Sequence, residues 1–169
     1  QPGAVLDNSG AGLIVADQGL ELYVQRLLNN AKGVLAGRDG LILRGGSLDN
    51  STGGTLTSQR TIGVQLKGTL NNQGQGRILA TKGLQIEAAS IDNKAVGLLS
   101  SGAALGIKGG TLDNQGGRVV SDGQLSIRNS SLNNSNAGSI SAGQTLSIET
   151  GLLNNHGQGE ITAVGDLSL

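Results

Sequence analysis

A triplet of Leu or Ile, then Asp or Asn, then Asn occurs eight times in 169 residues, and no other feature limits the possible folds so tightly. The copies are Leu6-Asp7-Asn8, Leu28-Asn29-Asn30, Leu48-Asp49-Asn50, Leu70-Asn71-Asn72, Ile91-Asp92-Asn93, Leu112-Asp113-Asn114, Leu132-Asn133-Asn134 and Leu153-Asn154-Asn155. Their spacing is 20 to 22 residues with a mean of 21, and the first and third copies read as one residue longer than that mean. Self-similarity at such a period belongs to folds in which each repeat is too small to bury its own apolar face and becomes stable by stacking on its neighbours.

Aligning the copies on the glycine that follows each triplet gives further columns. Two residues after it stand Ile14, Leu35, Leu56, Ile78, Leu99, Val119, Ile140 and Ile161. Two further on the residue is small, from Ala16 through Gly37, Ser58 and Ser101 to Ala163. A third column runs from Leu20 to Leu167 and a fourth from Leu22 to Leu169, again two residues apart. A spacing of two puts successive residues on opposite faces of a strand, so each repeat carries short strands with one buried face. No apolar series at helical spacing bounded by caps is present. The pattern predicts an all-β chain folded as a parallel β-helix of about eight coils, one domain over 1–169, with repeats starting near residues 6, 28, 48, 70, 91, 112, 132 and 153. Three short strands are expected in each coil, narrowest at the Ala/Ser/Gly column. Strands about 4.8 Å apart then make a rod of roughly 38 Å.

The asparagines Asn8, Asn30, Asn50, Asn72, Asn93, Asn114, Asn134 and Asn155 are expected to stack as a structural ladder at the corner after the triplet. Asn tolerates left-handed backbone there, and its amide can bond both backbone and the next coil's Asn. Turn geometry is the reading for nearly all of the 30 glycines. Leucine-rich repeats share the period, Leu-x-Leu pairs and an Asn ladder. Their Asn follows the Leu-x-Leu pair closely, whereas Ile86 and Asn93 are seven apart, and their second half needs a helix-compatible segment where this chain reads Gly-x-Ile-x-Ala.

Twelve Lys+Arg balance twelve Asp+Glu, with no concentrated basic patch, which argues against nucleic-acid or anionic-membrane partners. No apolar run approaches a membrane span and no signal sequence opens the chain. A start at Gln1 reads as an internal piece of a much larger protein. The absence of Cys leaves no disulfide or thiolate site.

Together, the Leu-Asp/Asn-Asn, Gly-x-Ile-x-Ala and Leu-x-Ile columns resemble the filamentous haemagglutinin repeats of large bacterial exoproteins, over about residues 6 to 169. That family comprises adhesins and contact-dependent growth inhibition effectors exported by two-partner secretion. The resemblance implies a right-handed β-helical stalk, secreted to the surface of a Gram-negative cell, with an outer-membrane transporter as its partner during secretion and a receptor engaged through neighbouring domains.

Chemistry is sparse. Tyr23, Arg44, Gln65, Glu87, Lys108, Arg128 and Glu149 fall in one exposed column, which could set Glu87 beside Lys108 and Arg128 beside Glu149 as ion pairs worth little each. His156 is the only histidine and has no Cys or second His to complete a zinc site. Calcium-binding nonapeptides and phosphate-loop motifs are missing. Tyr23 alone makes no sugar-stacking platform, and threonines form no regular ice-binding column. Leu13, Val34 and Leu98 share an outward column interrupted by Thr55, Arg77, Arg118, Ser139 and Glu160. The expectation is therefore a stalk without catalytic, cofactor or metal residues. The alternatives are an adhesin module that binds a receptor directly and, behind it, a polysaccharide-cleaving enzyme. Strand edges at the rod's ends also make end-to-end self-association an expected property.

Overall fold

The computed structural model describes residues 3–169 and contains strands and turns but no helix. Eight four-residue strands, Leu13–Ala16, Val34–Gly37, Thr55–Ser58, Arg77–Ala80, Leu98–Ser101, Arg118–Ser121, Ser139–Ala142 and Glu160–Ala163, pair in that order as one parallel sheet. Opposite it, a second parallel sheet is built from the rest of each coil, from Val5–Asp7 to Leu167–Ser168. The chain is a parallel β-solenoid of eight turns.

Where three short strands per coil are expected, the second and third join in most coils. Gly19–Leu28, Gly40–Asp49, Gly83–Asp92 and Ala104–Asp113 are continuous ten-residue strands. The inward residues show how one strand replaces two: Leu84, Ile86 and Ala88 are two apart, and the next, Ile91, is three on. This phase change puts the bend inside the strand. In two coils the residue at this point has to be glycine, because a Cβ on Gly45 or Gly109 would run into the carbonyl of Val24 or Ala88 in the coil before.

Length differences sit where the columns leave room. The third coil's extra residue falls at Lys67-Gly68, which splits its strand into Thr61–Leu66 and Thr69–Asn71. The sixth coil is short by one in its turn, where Gly116 is the only left-handed residue between Asn114 and Gly117.

Inside, the aliphatic columns merge into one core. Leu35, Leu56, Ile78, Leu99, Val119 and Ile140 have no exposed surface, and Leu41, Leu43, Leu70, Leu84 and Ile127 are buried equally. At the small column the hydroxyls are used. Ser101 Oγ donates to the Ala104 carbonyl at 2.9 Å and Ser121 Oγ to that of Gln124 at 3.0 Å. At Gly37 a Cβ would lie 3.0 Å from the Leu20 nitrogen, so the column is small because backbone closes in at this corner.

The other corner is a four-residue turn with left-handed backbone at both central positions, as in Ala31-Lys32, Ala95-Val96 and Asn136-Ala137. The closing bond is Gly33 N to Asn30 O at 3.1 Å, and its counterparts recur along the rod. The ladder asparagines themselves do not have left-handed backbone; the positive φ values fall two and three residues later. The expectation that Asn was chosen for αL geometry is therefore corrected: its amide is what the position needs. Val96 is the costly member of the left-handed set, a β-branched residue at φ 69° that is 64% exposed. Val96→Gly is expected to stabilise the fold by about 1 kcal/mol, read as a higher melting temperature, because strain is removed and little packing is lost.

Candidate functional site

The most highly organised polar feature is the buried asparagine column. Asn50 Nδ2 donates to Gly54 O at 3.1 Å, to Asn72 Oδ1 at 2.8 Å and to Arg77 O at 3.1 Å. Two hydrogens thus serve three acceptors: one in the same coil's turn, one on the next coil's amide and one on the next coil's first strand. The arrangement repeats from Asn8 to Asn29, Asn50, Asn72, Asn93, Asn114, Asn134 and Asn155, with amide-to-amide distances of 2.7–2.8 Å. All seven links point the same way, so each amide polarises the next. From Asn29 to Asn134 these side chains have no exposed surface.

One member differs from the expected set. The second coil contributes Asn29, and Asn30 lies outside the column, donating instead to Asp49 Oδ2 at 2.7 Å. Strand register is the reason. Leu6, Leu27 and Leu48 pair in line, and Leu27 is fully buried, so the repeat begins at Leu27. A frame starting at Leu28 would turn that inward leucine to solvent. Only the interval from Leu48 to Leu70 is then longer than 21; the first copy is of mean length.

The glycine that follows each ladder asparagine needs a different account from turn geometry. Gly12, Gly33, Gly54, Gly76, Gly97, Gly117, Gly138 and Gly159 have no left-handed backbone. A Cβ on Gly54 would stand 2.7 Å from both the carbonyl and the Oδ1 of Asn50, and closer still to the Asn29 carbonyl. This column is glycine so that ladder and backbone can lie against it.

A third column went unread in the sequence, although the middle residue of the triplet signals it. Asp7, Asp49, Asn71, Asp92, Asp113, Asn133 and Asn154 each accept the backbone N–H two residues on, as Ser9 N to Asp7 Oδ1 at 3.0 Å and Lys94 N to Asp92 Oδ1 at 3.2 Å. These Asx turns start the corner. The second coil, with Leu28 here, has none. Asp49 is the most heavily solvated by protein: burial pushes its carboxyl up, but the Ser51 hydroxyl, the Asn30 amide and the Ser51 N–H outweigh that and hold it below the ordinary value. Its folded pKa is depressed, so its contribution is present above the ordinary carboxylate range and lost as pH falls through the folded value. Asp49→Asn, which keeps the Asx turn, is expected to flatten the acid limb of a melting-temperature profile below about pH 4.

The exposed column forms as its spacing suggests. Lys108 Nζ lies 3.4 Å from Glu87 Oε1, and Arg128 Nε lies 3.3 Å from Glu149 Oε2. Exposed as they are, such pairs are worth well under about 1 kcal/mol each. Lys94 bridges Asp92 at 3.2 Å and Asp113 at 3.7 Å, and its hydrogen bond to Asp92 raises its pKa. Arg44 is held differently, by Gln65 and Tyr23 rather than a carboxylate: Nε donates to Gln65 Oε1 at 2.9 Å and Nη1 to the Tyr23 hydroxyl at 3.0 Å. His156 is exposed in the turn of the last coil. Among the described residues no three His, Cys, Asp or Glu side chains are grouped to hold a metal, and no helix is long and apolar enough to cross a membrane.

No curated protein and no solved structure matches the chain. The haemagglutinin repeat family model matches it three times, over residues 4–59, 45–129 and 120–169, which together span the eight coils. Matched along nearly its whole length, the chain belongs to the haemagglutinin repeat family.

Proposed function

We propose that this chain is a structural stalk segment of a large two-partner-secreted surface protein, projecting a receptor-binding or toxin domain away from the cell. The observation that carries the reading is axial continuity. The core columns and the amide ladder pass from coil to coil with the same geometry, so each added repeat lengthens the rod by one strand spacing without changing its cross-section. A chain without cysteine also suits export in an unfolded state through an outer-membrane transporter, followed by coil-by-coil folding outside.

The test is reach. Duplicating residues 70–90 inserts one coil and is expected to extend the particle by about 4.8 Å in small-angle scattering while melting no earlier than the parent. Placed between a surface anchor and a reporter-binding domain, chains of increasing coil number should capture their target at increasing distance. Capture that ignores coil number, or that persists without the terminal domain, would replace the stalk by a module that binds through its own face.

A further inference from the structure

Gly63 lies in the middle of Thr61–Leu66 with ordinary backbone, and a Cβ built there would meet nothing within 4 Å. Strand glycine lowers stability by roughly 0.5–1 kcal/mol, and the other interior strand glycines have a reason in their surroundings. Gly45, Gly46, Gly109, Gly110 and Gly151 face neighbouring carbonyls, and at Gly106 the space is taken by the end of the Gln85 side chain. Gly63 has no such reason. On the outer face its neighbours along the rod are Ile42 and Gln85, and Gln85 leans away over Gly106. The result is a depression of about 530 Å³ with bare backbone as its floor. A glycine inside a strand often marks a bulge, a tight bend or a close approach by a ligand or another backbone, and with ordinary pairing on both sides and no backbone near it Gly63 is left with the ligand.

Arg44 stands on the rim of that depression. Its guanidinium is fixed by Gln65 and by Tyr23, whose ring centroid is 5.8 Å from the guanidinium carbon and whose hydroxyl in turn donates to Glu21 at 3.0 Å. Glu87 and Lys108 also line the depression but pair with each other at 3.4 Å, and Arg128 faces Glu149, whereas Arg44 makes no ion pair among the described residues and is the uncompensated charge at the site. Its Nη2 hydrogens are left for a ligand.

We infer that the notch over Gly63 is a binding site for a carboxylated sugar, whose carboxylate accepts from Arg44 and whose ring lies on the bare Gly63 backbone beside Ile42. Thr61, Gln65 and Gln85 supply hydroxyl and amide groups for ring hydroxyls. An acidic peptide fits less well, because its backbone would need an open strand edge, and the strand carrying Gly63 is paired on both sides. With no aromatic platform the affinity belongs in the millimolar range. This site is additional to the stalk role and stands or falls apart from it.

The experiment is a titration of the full chain, followed by backbone amide NMR, with sodium glucuronate, glucose and a triglutamate peptide as probes. Saturable shifts at Gly63 and Gln65 are expected with glucuronate and not with glucose. Arg44→Gln should weaken binding about tenfold. Gly63→Val fills the notch and should abolish binding while melting no lower than the parent, which separates loss of the site from loss of the fold. No saturable glucuronate response, an equal response to glucose, tighter binding of triglutamate, or binding that survives Gly63→Val would each overturn the assignment.

Discussion

Asn72→Asp is expected to destabilise the rod by more than about 4 kcal/mol at neutral pH, far beyond what one isosteric surface change does. Asn72 has no exposed surface. Its Nδ2 faces three oxygens, on Gly76 at 3.1 Å, Asn93 at 2.8 Å and Leu98 at 3.2 Å, while its Oδ1 already accepts from Asn50 at 2.8 Å. In the aspartate a carboxylate oxygen replaces the donor, so three attractive contacts become repulsive inside a desolvated corner. Asn72→Ala is milder, about 2–3 kcal/mol, since it leaves the Asn93 oxygen without its donor but adds no charge.

The pH dependence separates the two variants. Burial against three oxygens, with only the Asn50 amide as a donor, raises the folded pKa of the new carboxyl above its unfolded value near 3.9, so the deficit is smallest below that value, where a proton can fill one contact. It grows as pH rises towards the folded pKa. Urea unfolding at pH 3.5 and 7 should therefore bring Asn72→Asp closer to the parent in acid and leave the offset of Asn72→Ala almost constant. A variant as stable as the parent at pH 7 would show that the ladder does not hold the coils together.

Periodicity made the solenoid, its inward columns and the exposed Glu87–Lys108 and Arg128–Glu149 pairs legible before any coordinates, because spacing of two and a period of 21 leave few ways to bury the same leucines. What periodicity could not settle was phase within a run of similar residues. Leu27-Leu28-Asn29-Asn30 offers two frames one residue apart, and only pairing with Leu6 and Leu48 chooses between them. The bend inside Gly83–Asp92 was hidden for a related reason: the step from Ala88 to Ile91 looks like a break between strands when hydrogen bonding is not visible. The notch at Gly63 was illegible because it depends on where Gln85 lies, which no column records.

Gly76→Ala is expected to cost more than about 3 kcal/mol, although local propensity points the other way. The backbone of Gly76 is not left-handed, so alanine would be accepted conformationally and would gain about 0.4–1 kcal/mol by restricting the unfolded chain. Sterics reverse the sign. A Cβ at this position would lie 2.5 Å from the Asn50 carbonyl, 2.6 Å from the Asn72 carbonyl and 2.7 Å from Asn72 Oδ1. The Oδ1 cannot withdraw without giving up the ladder bond from Asn50, and both carbonyls belong to the backbone on either side of ladder amides that bond from coil to coil. Overpacking of this kind must separate two coils or break the ladder. Two other glycines make the comparison decisive in one thermal-melting series. Gly74 has φ 61° but open space around it, with Thr52 N at 3.6 Å, so Gly74→Ala should lose about 1 kcal/mol to backbone strain alone. Gly63→Ala meets neither obstacle and should gain stability. Equal losses at all three positions would mean that glycine serves only as turn material. An ordering of Gly63 above Gly74 above Gly76 would show that the last is glycine because the asparagine ladder of two coils occupies the space of its side chain.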